Sequence, residues 1–148
     1  MATPLAEQFS DVTKRDALIQ DALGVLDAEV GDKSGLSGMA IKTAFRVIKG
    51  IQPGFLRSVV ERLLPDFVEK LDPVYQDALK QGLAPGALLT KEKSKVAGAL
   101  LSITDEKAKN AQDLVRKTYE RLRPSAQKNV EAAAPRLAEL LNRHAEKA

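Results

Sequence analysis

The sequence predicts an all-α fold, a single compact bundle of about seven to eight helices. Apolar residues recur with the spacing i, i+3, i+4 and i+7 in successive windows, and this spacing places them on one face of a helix. No window alternates apolar with polar residues in the manner of a strand. Apolar residues make up 44% of the 148 residues and only 4% are aromatic, which predicts a sizeable aliphatic core.

The first long helix is expected to begin just after Thr13, whose hydroxyl can cap the free amides of a helix N-terminus. Ile19, Leu23 and Leu26 then share one helical face. The segment 31–38 holds three glycines and two serines, a composition typical of a loop. We therefore expect the first helix to end before this segment.

The middle of the first half is expected to hold several short helices. Ser37 is a candidate N-cap for a second helix that ends near Gly50, and a third helix begins at Phe55. Proline lacks an amide donor and clashes with the preceding turn of a helix. Pro65 and Pro73 are therefore expected to divide the chain after this third helix begins.

The second half is expected to follow the connection at residues 81–86, which contain two glycines and a proline. Thr90 and Thr104 are candidate N-caps for the next two helices, and two acidic residues after Thr104 favour a helix N-terminus. Pro124 and Pro135 are expected to divide the remaining chain.

Two stretches of the chain resemble each other around paired prolines, Pro53 with Pro65 and Pro124 with Pro135. One explanation is an old duplication that relates two pseudo-halves, residues 10–82 and 85–146, within a single all-helical domain over residues 1–148. The other explanation is that any two amphipathic helices with prolines can be aligned if slips are allowed. Both explanations are compatible with the sequence.

The predicted core consists of the apolar residues that recur on one face of each expected helix. They are Ile19, Leu23, Leu26, Ile41, Phe45, Ile48, Val59, Leu63, Phe67, Leu71, Val96, Leu100, Val115, Tyr119, Val130, Leu137 and Leu141.

No enzyme is predicted, and neither catalytic, metal-binding nor cofactor-binding residues are proposed. The chain has no cysteine, which removes thiolate nucleophiles and thiolate metal sites. His144 is the only histidine, and it falls on the apolar face of the last helix rather than in a recognisable motif. No phosphate-binding glycine loop, dinucleotide fingerprint or calcium loop occurs.

A basic helix face is the one surface feature that indicates a binding site. Lys42, Arg46 and Lys49 follow the spacing i, i+4 and i+7, and Arg57 comes shortly after them. Residues 33–60 contain no acidic side chain, although the net charge of the whole chain is only +3. This face is the candidate surface for phosphates, an acidic partner or an anionic membrane.

The leading functional hypothesis is a non-enzymatic interaction or structural protein that acts through helix surfaces, as a homo-oligomer or with a protein partner. The first alternative is a binder of nucleic acid or acidic lipid through the basic face, and the second is a carrier of an apolar small molecule. The longest apolar run is too short to cross a bilayer, and the first residues lack the features of a signal peptide. We therefore expect a cytoplasmic protein.

The sequence also resembles a family of small bacterial all-helical proteins that is known as a domain of unknown function. The resemblance covers nearly the whole chain and implies an intact single domain, but it carries no activity, ligand or catalytic residue. The segments that carry it are Leu26-Asp27-Ala28-Glu29-Val30, Asp32-Lys33-Ser34-Gly35-Leu36-Ser37-Gly38, Pro53-Gly54, Arg62-Leu63-Leu64-Pro65, Leu100-Leu101-Ser102-Ile103-Thr104-Asp105 and Ala134-Pro135-Arg136-Leu137.

Overall fold

A computed structural model describes residues 2–147 of the chain, and the all-α prediction is confirmed there. Within these residues the structure has seven helices and no strand. The helices are α1 (Leu5–Gln8), α2 (Val12–Asp32), α3 (Gly35–Lys49), α4 (Phe55–Lys80), α5 (Lys93–Ala108), α6 (Asp113–Ala132) and α7 (Ala134–His144).

Helix α2 begins earlier than its sequence predicts. Asp11 is the N-cap, and its carboxylate accepts a hydrogen bond of 2.9 Å from the backbone amide of Lys14. The prediction of Thr13 as the cap was wrong, because Thr13 already lies inside the helix. Both residue types are good caps, so the choice between them depends on where the preceding chain enters the helix.

The expected loop at residues 31–38 was also wrong. Helix α2 continues to Asp32, α3 begins at Gly35, and only two residues separate them. Gly35 has a φ of +71°, a left-handed conformation that glycine adopts without steric cost. One glycine is therefore enough for the turn, and Ser37, the predicted cap, lies within α3.

Three of the prolines lie inside helices instead of dividing them. Helix α4 passes through Pro65 and Pro73, and α6 passes through Pro124. Of the four prolines that were expected to divide helices, Pro135 alone stands in the first turn of a helix, α7, where its missing amide costs nothing. Buried side chains on both sides of the prolines in α4 offset the lost backbone hydrogen bonds; they are Leu64, Val68, Val74 and Tyr75.

Thr104 is a residue of the α5 interior, so its prediction as an N-cap was wrong. Its hydroxyl donates to the backbone oxygen of Leu101 over 3.1 Å and lies 2.6 Å from the hydroxyl of Tyr119 on α6. Tyr119 in turn donates to Asp105, which also accepts two hydrogen bonds from Arg123. This network joins α5 to α6.

The hydrophobic core is drawn mainly from α2, α4, α5 and α7, together with the N-terminal segment. Five predicted core residues are buried, Ile19, Ile41, Val96, Leu100 and Leu141, and the other twelve are half-buried. The sequence patterns missed other members of the core cluster, namely Leu5, Phe9, Leu18, Leu64, Val68, Val74, Tyr75, Leu89, Leu140 and Ala145. No residue of α3 belongs to that cluster.

A buried polar node ties both ends of the described chain to α4. The side-chain amide of Gln8 donates to the hydroxyl of Tyr75 over 2.9 Å, and that hydroxyl donates to the backbone oxygen of Glu146 over 2.7 Å. The backbone amide of Glu146 donates back to Gln8 over 2.8 Å. Because every partner is satisfied, the node adds rigidity without leaving a buried polar atom unpaired.

The descent of residues 10–82 and 85–146 from an old duplication stays a prediction. The first segment ends in one long helix, α4, whereas the corresponding part of the second segment is divided into α6 and α7. Ala133 separates these two helices and serves as the C-cap of one and the N-cap of the next.

Candidate interaction surface

Helix α3 carries a line of exposed side chains, which we call the α3 outer face. It consists of Leu36, Met39, Ala40, Thr43 and Val47, all of them exposed. At 3.6 residues per turn these positions fall within about 100° of the helix circumference. Leu36 is 87% exposed, Met39 66% and Val47 38%. Leu36 and Met39 are adjacent on this face, and the stripe continues through Ala40 and Thr43 to the less exposed Val47. No part of the described chain covers Leu36 or Met39.

The opposite side of α3 explains why this stripe faces solvent. Ile41 is buried and Phe45 and Ile48 are half-buried, so they attach α3 to the rest of the molecule. Gly38 lies at the close approach of α3 to the end of α2: a Cβ atom there would stand 2.7 Å from the backbone carbon of Lys33. The tight turn and the inward residues fix the rotation of α3 about its axis. This rotation directs the α3 outer face toward solvent.

Two of the four predicted basic residues lie beside this stripe without an acidic partner. Lys42 and Arg46 are exposed on α3. Among residues 2–147, no carboxylate oxygen lies within 4.0 Å of either cationic group. On a helix, positions 42 and 46 are one turn apart and border the outer face along one edge. We call these two residues the basic edge.

The other two predicted residues pair with carboxylates on α2, and Arg57 also pairs with one on its own helix. Lys49 lies 2.7 Å from the carboxylate of Asp27 on α2. Arg57 lies 3.2 Å from Asp16 and 3.0 Å from Glu61. The structure thus separates the predicted basic face into an uncompensated pair and two residues that link α3 and α4 to α2.

The sequence patterns placed the basic residues on one face but missed the apolar stripe beside them. The glycines and serines of the segment 31–38 predict a loop that includes Leu36, and this composition conceals the position of Leu36 on a helix. The spacing of Leu36, Met39, Thr43 and Val47, which is i, i+3, i+7 and i+11, was the available signal. Their exposure could not be read from that spacing, because buried and exposed stripes have the same period.

Two shallow surface depressions occur among the described residues. The first, of about 270 Å³, lies between α2 and the start of α4 and is lined by Leu23, Asp27, Lys49, Phe55, Leu56 and Arg57 together with Gly54. The second, of about 560 Å³, is lined largely by charged side chains, including Glu29, Asp32, Lys33, Arg136 and Glu139. Both are open to solvent.

The single histidine takes part in a contact between α7 and α2. His144 Nε2 lies 2.7 Å from Asp21 Oδ2, and Arg143 donates to both oxygens of the same carboxylate over 2.8 and 3.0 Å. Two turns earlier, Arg136 pairs with Glu29 and with Asp32. These ion pairs run along the α2–α7 boundary and hold the last helix in place.

Neither a metal site nor a membrane span is found in the part of the chain that the structure describes. No group of three or more His, Asp or Glu side chains there is arranged to hold an ion. No helix in residues 2–147 is long and apolar enough to cross a bilayer.

Acid should weaken the fold through two carboxylates. Hydrogen bonds from Arg143 lower the pKa of Asp21, and hydrogen bonds from Arg123 and then Tyr119 lower the pKa of Asp105. A carboxylate with a depressed pKa in the folded state stabilises fully above its unfolded pKa, about 4, and loses this contribution as pH falls through the folded pKa. We therefore expect the urea concentration at the midpoint of unfolding to decrease once the pH is lowered below about 4.

The Asp105→Asn variant checks this assignment. At pH 7 it should be less stable than the wild type, and the difference should shrink as the pH falls through the lowered pKa of Asp105 in the folded state, because the wild-type carboxylate then also becomes neutral. An unchanged difference at both pH values would show that the charge of Asp105 contributes nothing.

Comparison with known proteins gives one result. A family model described as "Family of unknown function (DUF6918)" matches residues 5–145. The resemblance noted from the sequence, to an all-helical family of unknown function, is therefore confirmed. No curated protein and no solved structure matches the chain.

Proposed function

The chain belongs to this family of unknown function, whose description names no activity. From the geometry of the surface, we propose that the chain is a non-enzymatic interaction protein that binds a macromolecular partner through the α3 outer face. The observation that carries the proposal is the exposure of Leu36 and Met39, at 87% and 66%, on a helix outside the core cluster.

Energetic considerations support a partner at this face. Burying an exposed leucine or methionine completely is worth about 1.5–3 kcal/mol. Single exposed apolar residues are normal, and Val12, Leu83 and Leu114 are of that kind. Leu36 and Met39 are different, because they lie about one turn apart on the same helix face, and neighbouring exposed apolar residues of this kind are typical of interaction sites.

The proposal extends to the setting in which the protein acts. We propose a bacterial origin, which the family resemblance implies, and a cytoplasmic setting, which suits a chain without cysteine. Binding to nucleic acid or acidic lipid through the basic edge is a second candidate, and the uncompensated charges of Lys42 and Arg46 favour it. The carrier of an apolar molecule is the third candidate, and the depression at Leu23, Phe55 and Leu56 is where it would bind.

Quantitative capture from cell extract tests the leading proposal. The bait proteins are the wild type, the double variant Leu36→Ser/Met39→Ser, and Leu114→Ser as a control. The control replaces an apolar side chain that is 51% exposed on α6. We expect a partner that the wild type and the control both retain and the double variant loses by more than about tenfold, since two buried apolar contacts are removed.

Circular dichroism and urea denaturation establish that the variants fold, because surface substitutions should change stability by no more than about 0.5 kcal/mol. If all three baits retain the same proteins in the same amounts, α3 is not the binding surface and the proposal is wrong.

A further inference from the structure

We infer that the occupant of the α3 outer face is an amphipathic helix of another protein, with carboxylates along one side of its apolar stripe. This inference rests on the proposed function and specifies the chemistry of the partner. It combines two observations, the shape of the stripe and the uncompensated charge beside it.

The stripe has the shape of a helix-packing surface. Leu36, Met39, Thr43 and Val47 are spaced so that a second helix can lie along them, with its own apolar residues between theirs. From residue 36 to residue 47 the stripe is about 16 Å long, at a rise of 1.5 Å per residue, which corresponds to three turns of a partner helix. Met39 is unbranched and flexible, so it can adjust to the partner's side chains.

The basic edge specifies the charge of the partner. Residues 33–60 contain no acidic side chain, and Lys42 and Arg46 have no carboxylate within 4.0 Å in the described chain. A partner helix with glutamates on the matching side would supply the missing charge, and Arg46 can bind a carboxylate through two parallel hydrogen bonds. Like charges on the partner would instead be repelled, so the edge also selects against basic helices.

A second copy of this chain fits the face poorly. In an antiparallel pair of α3 helices related by a two-fold axis, both basic edges lie on the same side of the interface, where they repel. In a parallel pair each basic edge meets a side of α3 that has no acidic residue. Neither arrangement neutralises Lys42 and Arg46.

An anionic membrane also fits less well than a helix. Proteins that lie on a bilayer surface usually insert aromatic residues, and none of the exposed large apolar residues in the described chain is aromatic. Stable binding through charge takes a cluster of four to eight basic residues, whereas the basic edge has two.

Binding of designed peptides to the full-length protein tests the inference. Two labelled 21-residue helical peptides share one leucine stripe, and one has glutamates and the other lysines beside it. Fluorescence anisotropy should show the acidic peptide binding with a micromolar dissociation constant, at least tenfold tighter than the basic one. The Lys42→Glu/Arg46→Glu variant should reverse this preference.

The matched control is Lys117→Glu/Arg121→Glu, which replaces an exposed lysine and arginine with the same i, i+4 spacing on α6. This variant should keep the wild-type preference. The Leu36→Ser/Met39→Ser variant should lose both peptides, which shows that binding occurs on the stripe.

Several outcomes would overturn the inference, and they can be distinguished from failure of the proposed function. Equal binding of both peptides that still needs Leu36 and Met39 would leave α3 as the binding surface but refute the acidic partner. Binding only to vesicles of equal phosphatidylglycerol and phosphatidylcholine would identify a lipid surface as the occupant. A dimer in light scattering that Leu36→Ser/Met39→Ser abolishes would identify a second copy. No binding to any probe would also refute it.

Discussion

Substitution of Gly86 by alanine is expected to destabilise the protein by about 3 kcal/mol, the upper end of the usual cost of overpacking. A Cβ atom at Gly86 would stand 2.2 Å from the backbone oxygen of Ala138 and 2.6 Å from its Cα atom. These are backbone atoms of α7, so no side chain can rotate away to make room. The Gly86 amide also donates to Asn142 over 2.8 Å, and this hydrogen bond would be lost if the loop moved.

Two other glycines provide the control for this prediction. Gly24 in α2 and Gly98 in α5 lie inside helices, and a Cβ atom at either position meets nothing within 4 Å. Alanine at these positions should stabilise the protein by about 0.5–1 kcal/mol, because it reduces the freedom of the unfolded chain.

Urea denaturation of the three single variants measures the comparison. The prediction requires opposite signs for Gly86→Ala and the two helix variants. A Gly86→Ala variant as stable as the wild type would show that the loop before α5 does not touch α7 as described.

The second large effect is expected from Leu5→Ala, at about 2–5 kcal/mol. Leu5 is completely buried although it belongs to a helix of only four residues. Such a short helix has no stability of its own and depends on its contacts with the rest of the protein. The Leu5 amide donates to Asp72 on α4 over 2.9 Å, and its side chain fills part of the core cluster.

Leu36→Ala is the matched control, since it makes the same chemical change at a site that is 87% exposed. It should alter the free energy of unfolding by no more than about 0.5 kcal/mol. Equal stability losses in the two variants would mean that the N-terminal segment is not packed on α4. A small loss at Leu36 would also confirm that face variants can be used in binding experiments.

The sequence determined the fold class and part of the core through helical periodicity. Ile19, Val96 and Leu141 lie in the interior as predicted, because apolar residues at helical spacing share one face and these faces pack on the core. The end of α3 at Gly50 was also predicted correctly. The sequence could not locate Leu5, since a four-residue helix is too short to show a period.

Helix boundaries within the chain were decided by tertiary packing. Pro65 ends a helix in an isolated peptide, yet α4 continues through it because Leu64 and Val68 are held in the core. Local residue preferences amount to a few kcal/mol at most, and burial of several large apolar side chains exceeds them.

The sequence likewise determined one part of the candidate surface, and the tertiary structure decided the other. The sequence by itself determined that Lys42, Arg46 and Lys49 share a face of one helix, because the spacing of residues along a helix fixes the direction in which each side chain leaves the helix axis. Only the tertiary structure decided that Asp27 neutralises Lys49 and that Lys42 and Arg46 have no such partner. The approach of carboxylates from a distant helix depends on how the helices pack, and no local pattern encodes it.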